Sequence, residues 1–124
     1  MTVDERSIDV VPFKAGLEQI LEKHGLKPES LELVDSLEGD PNPNRASRCF
    51  KIEKKIQIKK TISVEERLET LRLLAKFDQN DLKKIDDDER FVKHLLMKHI
   101  CSINERWKDQ HECDKWAFYN LKFV

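Results

Sequence analysis

A chain of 124 residues has room for one hydrophobic core without metal or disulfide staples, so residues 1–124 are expected to form a single domain. Hydrophobic residues make up 39% and charged residues 38%, a balance too apolar for global disorder yet unusually rich in charge. The net charge of -1 excludes a chain-wide basic coat for nucleic acid and confines any such role to a local patch.

The start MTVDERSIDVV carries acids where a signal peptide needs positive charge, and no apolar run approaches the roughly 18 residues of a membrane span. The expectation is a soluble intracellular protein, cytoplasmic or nuclear, with no membrane partner. Cys49, Cys101 and Cys113 are odd in number and dispersed, which points to reduced thiols rather than a disulfide framework.

Taken in chain order, SIDVV is strand-like, and PFKAGLEQILEKHGL reads as the first helix. Phe13, Leu17, Ile20, Leu21 and His24 recur at helical spacing behind Pro12. Gly25 suits the left-handed residue that closes a helix, with Leu26 packing back over the last turn. In KPESLELVDSL, Leu31 and Leu33 alternate as in a strand, while Leu31, Val34 and Leu37 also fit a helical stripe; strand is the preferred reading. EGDPNPNRAS is a loop by composition.

The next stretch, RCFKIEKKIQIKKTI, places Phe50, Ile52, Ile56, Ile58 and Ile62 on one parity, so an extended segment would put all five on one face. One long strand or a hairpin turning near residues 53–55 satisfies this pattern. Lys54 and Lys60 break the parity and mark where the strand is expected to bend or end. From Ser63 the period becomes helical: Ser63 and Glu66 form a capping-box pattern, with Val64, Leu68, Leu71, Leu74 and Ala75 as the expected apolar face. DQNDLKKI reads as a single helical turn capped by Asp78 or Asn80. A long helix then starts in Asp86, Asp87 and Asp88 and ends between Asp109 and Asp114, with Phe91, Leu95, Leu96, His99, Ile100, Ile103 and Trp107 as its stripe. The closing KWAFYNLKFV fits a final strand or a docking segment. The fold expected is α+β, a small antiparallel sheet packed against an amino-terminal helix and two carboxy-terminal helices.

No catalytic motif is present. Three glycines leave no phosphate loop, nucleophile elbow or dinucleotide fingerprint, and no cofactor is expected. The His-x-Cys pairs at 99–101 and 111–113 have zinc-type donors, but i, i+2 spacing on a helix points them apart, so no metal site is assigned. The Asp86 to Asp88 triplet lacks calcium-loop spacing and fits a helix start.

Charge is more informative. Arg45, Arg48, Lys51, Lys54, Lys55, Lys59 and Lys60 face a single acid, Glu53, while Glu29, Glu32, Asp35, Glu38 and Asp40 make the preceding segment acidic. Such asymmetry can steer a partner of opposite charge; equally, lysines on an exposed strand protect its edge. The expected function is non-enzymatic protein–protein interaction, with a partner protein or by self-association. Its candidate contacts are Arg45, Arg48, Lys51, Lys55 and Lys59 on the basic strand, with Trp116 and Tyr119 as aromatic anchors beside Trp107 and Phe118. Nucleic-acid binding by the same lysines is the alternative.

The succession SIDVV, GLEQILEKHGL and KPESLELV over residues 7–37 resembles the ubiquitin-like Ras-binding and Ras-association domains. Those run strand, helix ending in Gly-Leu, proline turn and strand. The resemblance implies binding of a small GTPase through a strand edge and the helix, with His24 standing where some members carry arginine.

Overall fold

The computed structural model describes residues 6–39 and 42–124; the part of the expected loop at Asp40 and Pro41 lies outside the described residues. Strand β1 (Ile8–Asp9) pairs antiparallel with β5 (Thr61–Ile62), bringing Ile8 opposite Ile62. Between them in sequence comes α1 (Lys14–Lys23), entered by a 3-10 turn at Val11–Phe13 that takes Pro12 in its first turn. Gly25 closes α1 with φ +81°, its N–H bonding to Glu22 and that of Leu26 to Leu21, the Schellman pattern that glycine permits.

A 3-10 turn at Pro28–Ser30 leads into β2 (Leu31–Val34), so the strand reading of this segment holds. A hairpin follows, β3 (Ser47–Phe50) and β4 (Lys55–Lys59), turning through Lys54 at φ +53°. The three-stranded sheet has the order β2-β4-β3, antiparallel between β3 and β4. The β2–β4 pair is parallel, where an all-antiparallel sheet was expected.

Register corrects the reading of RCFKIEKKIQIKKTI. Cys49 stands opposite Ile56 and Phe50 opposite Lys55, so partners of odd and even number share a face across the hairpin. Ser47 and Cys49 therefore join Ile56 and Ile58 towards the core, while Phe50 turns to the polar face under the cations of Arg48 and Lys55, 4.9 and 4.6 Å from its ring centre. Ile52 sits in the turn, 86% exposed. Ile56, Ile58 and Ile62 are fully buried as expected, and β4 ends at Lys59, with Lys60 at the break before the next strand.

Helix α2 (Val64–Leu73) opens with the expected capping box, Ser63 Oγ accepting from Glu66 N and Glu66 Oε1 from Ser63 N. Its inward face follows the expected stripe only in part: Leu74 is buried and Leu71 packs against the core, but charged residues share that face. Glu66 and Arg67 are buried, and Leu68 is 55% exposed. Polar partners account for the rotation: Glu66 meets the buried Lys59 of β4, and Arg67 Nη2 bonds Asp88 Oδ1 at 2.6 Å. Helix α3 (Gln79–Lys83) is capped by Asp78.

Helix α4 (Asp88–Asn104), capped by Asp87, is the central support, with Phe91, Leu95, Leu96, Ile100 and Ile103 all buried. It stops earlier than expected, and Trp107 lies beyond it, largely exposed. KWAFYNLKFV is not a strand: its first six residues complete a further helix, α5 (Gln110–Asn120), and a 3-10 turn at Leu121–Phe123 follows; Asp109 accepts from Glu112 N at the cap, and Cys113, Ala117 and Phe118 are buried on the side of α5 that packs on α4. No helix among the described residues is long and apolar enough to cross a membrane.

Removing the Glu66 carboxylate strands a buried ammonium and half of a capping box. Glu66→Ala is expected to lower the unfolding free energy by about 3–5 kcal/mol in urea titrations. Leu68→Ala is expected to stay within about 0.5 kcal/mol; equal losses would reject this account of α2.

Candidate binding cleft between β3 and α4

The acidic and basic segments of the sequence pair with each other within the chain, at its surface and just beneath it. Gln57 Nε2 donates to Glu32 Oε1 at 2.9 Å, and Glu38 N donates to Gln57 Oε1 at 2.9 Å. Lys55 Nζ lies 3.1 Å from Glu38 Oε2, and this hydrogen bond raises the lysine's pKa. Arg48 Nη1 donates to the Glu38 carbonyl, and Lys59 Nζ reaches both Glu66 and the Pro43 carbonyl. Of the expected contacts on the solvent side, Lys59 is thus inside the protein, because its stem and head are closed in by the 43–46 loop and α2.

Arg45 and Lys51 come together at a cleft of about 210 Å³ along the β3 edge; Arg48 also lines it, but its guanidinium turns away to the Glu38 carbonyl and the Phe50 ring. Lys98 joins them from α4, and Leu73, Leu74 and Leu95 supply an apolar wall. Trp116 and Tyr119 lie outside it. Trp116 packs edge-on to His24, their ring centres 5.4 Å apart, and Tyr119 is exposed beside Phe123 and Lys122.

The walls hold two histidines in different states. His99, buried, joins Ser47 Oγ by a 2.7 Å hydrogen bond at Nε2, and burial with nearby Lys98 pushes its pKa down to about 3. His94 lies between α4 and α5, where Nε2 is 3.0 Å from Asp114 Oδ1 and the ring packs on Phe118. Burial lowers its pKa and Asp114 partly opposes that shift. Lys98 Nζ stands 3.6 Å from the other oxygen of Asp114. Among the described residues His94 Nδ1 has no hydrogen-bond partner, although the side chain is buried.

These groups make a poor catalyst. The hydroxyl of Ser47 faces a histidine too weakly basic to take its proton near neutrality, and the orienting carboxylate belongs to the other histidine. Burial pushes the Cys49 thiol up to about 11, away from the nucleophilic thiolate. No group of three potential metal ligands occurs among the described residues, and the two His-x-Cys pairs do not converge into one. What the arrangement offers is positive charge and hydroxyls beside an apolar wall.

Sequence reasoning missed Lys98, His94 and Asp114 because the cleft joins segments about 50 residues apart, as in the Ser47–His99 pair with its separation of 52. Comparison with known proteins finds no matching family model, curated protein or solved structure.

Both histidines have folded pKa values below their unfolded one, so between the two values the unfolded chain binds more protons and stability falls as pH drops below about 6.5. Each full proton difference is worth about 1.4 kcal/mol per pH unit. Urea midpoints between pH 7.5 and 5.5 are expected to decline, and His99→Gln to flatten the slope by up to one proton. An unchanged slope in that variant would contradict the assignment.

Proposed function

We propose that the chain is a non-enzymatic protein-interaction module that takes an acidic segment of a partner in the cleft between β3 and α4. The observation that supports this reading is the convergence of Arg45, Lys51 and Lys98 on one concave surface of a near-neutral protein. The net charge gives no general attraction for anions, so a local field of this kind acts through selective steering and registry. The wider basic strand contributes less than its sequence suggests, because Lys55 and Lys59 are engaged within the chain. A cytoplasmic or nuclear setting belongs to the same proposal, supported by Cys49, Cys101 and Cys113 as free thiols.

A titration of isotope-labelled protein with a short glutamate-rich peptide, and separately with a single-stranded oligonucleotide, tests the proposal. Peptide-induced amide shifts are expected at residues 45–51 and around Lys98. Reversing Lys51 and Lys98 together to Glu is expected to weaken binding about tenfold. Preference for the oligonucleotide would move the function to nucleic acid, and silence with both ligands would remove it.

A further inference from the structure

The ladder between β3 and β4 decides which main-chain groups of β3 are free. Lys59 N donates to the Ala46 carbonyl at 3.0 Å, so these two residues form a hydrogen-bonded pair, and the antiparallel register repeats that state at Arg48 with Gln57 and at Phe50 with Lys55. The alternate residues, Ser47 and Cys49, turn their N–H and C=O groups away from β4. Strand β3 ends the sheet order, and among the described residues no hydrogen bond is formed to those groups. Two donors and two acceptors are therefore left in a row at the edge of the sheet.

That edge borders the cleft. Ala46, Ser47, Arg48 and Cys49 line it in unbroken succession, although side chains along a strand alternate between the two faces of the sheet. The Arg48 guanidinium lies on the far face, at the Glu38 carbonyl and over Phe50, so Arg48 borders the cleft through its main chain and the base of its stem. Leu73, Leu74 and Leu95 stand across from the strand as the apolar wall. Lys51, exposed just past the end of β3, has no ion pair among the described residues, whereas the acids of the lining are held, Glu69 by Arg72 and Asp114 by His94 and Lys98. The other edge strand, β2, is flanked by Glu29, Glu32 and Asp35, whose like charge disfavours an acidic segment there.

We infer that the partner's acidic segment binds as an added strand, its main chain pairing with the N–H and C=O groups of Ser47 and Cys49 along the free edge of β3. This rests on the interaction reading above and specifies its ligand: an extended stretch of the partner protein in which acidic and apolar residues alternate. Paired strands lie about 4.8 Å apart, which brings the segment over the opening between β3 and the leucine wall. One set of its side chains points to the α4 side, where Leu73, Leu74 and Leu95 take apolar groups, and the other set stays in solvent, where its acids meet Lys51. Main-chain bonds supply the affinity, and the alternation together with the charge at Lys51 supplies the choice among segments. An open edge also invites unwanted pairing, which the four-residue length of β3 limits.

Amide hydrogen exchange on the full chain, alone and saturated with a short peptide of alternating valine and glutamate, tests this. In the free protein the Ser47 and Cys49 amides are expected to exchange about tenfold faster than those of Arg48 and Phe50, and the peptide is expected to slow them about tenfold. Two further peptides carry N-methyl groups, one at every valine and the other at every glutamate. In an added strand one of these sets turns its N–H groups to β3 and the other turns them away, so one methylated peptide is expected to bind about tenfold more weakly and the other to match the parent. Binding of the parent with unchanged exchange at Ser47 and Cys49, or equal binding by all three peptides, would overturn the inference while leaving the interaction module standing. Protection of these amides before any peptide is added overturns it too, by a covered edge if independent of protein concentration and by a second copy on the edge if it grows with concentration. Where both methylated peptides fail, the exchange result with the parent decides. A parent peptide that does not bind removes the added strand, and silence from the glutamate-rich peptide as well removes the interaction module with it.

Discussion

An ammonium group taken out of water costs several kcal/mol unless a partner of opposite charge is built in beside it. Lys59 is in that position, at 9% exposure near the end of β4, and its partner Glu66 is equally enclosed at the start of α2. The same Glu66 caps the helix through Ser63, and the same Lys59 reaches the Pro43 carbonyl in the loop that precedes β3. One ion pair therefore fixes three things together: where the strand stops, which way α2 faces and how the loop lies over the sheet edge. The cleft depends on all three, since it is lined by that loop, by β3 and by the outer half of α2.

This constraint separates what the sequence shows from what it hides. Local chemistry was legible: Gly25 at the end of α1, the Ser63 and Glu66 box, Asp78 at the cap of α3 and the acidic opening of α4 each concern residues within one turn. The apolar stripe of α2 misled because hydropathy treats Glu66 and Arg67 as outward residues, whereas paired charges can be buried and Leu68 left outside. Parity misled in the hairpin for a related reason. Alternation describes one strand, and the Lys51 to Lys54 turn joins two strands in a register that exchanges odd for even. At the carboxyl end the aromatic residues suggested β propensity, but Asp109 and Glu112 carried a helix start that tertiary packing against α4 reinforces.

The two charge blocks follow the same logic. In the sequence an acidic segment precedes a basic one, and each alone suggests an external partner. Folding brings Glu32 and Glu38 over Lys55, Gln57 and Arg48, so much of the complementarity is satisfied at home. The cations at the cleft come from the amino-terminal part of the basic stretch, Arg45 and Lys51, together with Lys98, which no local pattern connects to them.

His94 shows how the last helix shapes the wall of the cleft. A buried imidazole with one nitrogen on Asp114 and the other unmatched is a costly arrangement, since a buried acceptor without a donor loses about 1–3 kcal/mol relative to water. Asp114 fixes the tautomer that leaves the buried lone pair at Nδ1, and α5 delivers Asp114 to that position by packing Phe118 on the histidine ring and Ala117 into the shared core. The helix that looked like a terminal strand is thus what orients the histidine.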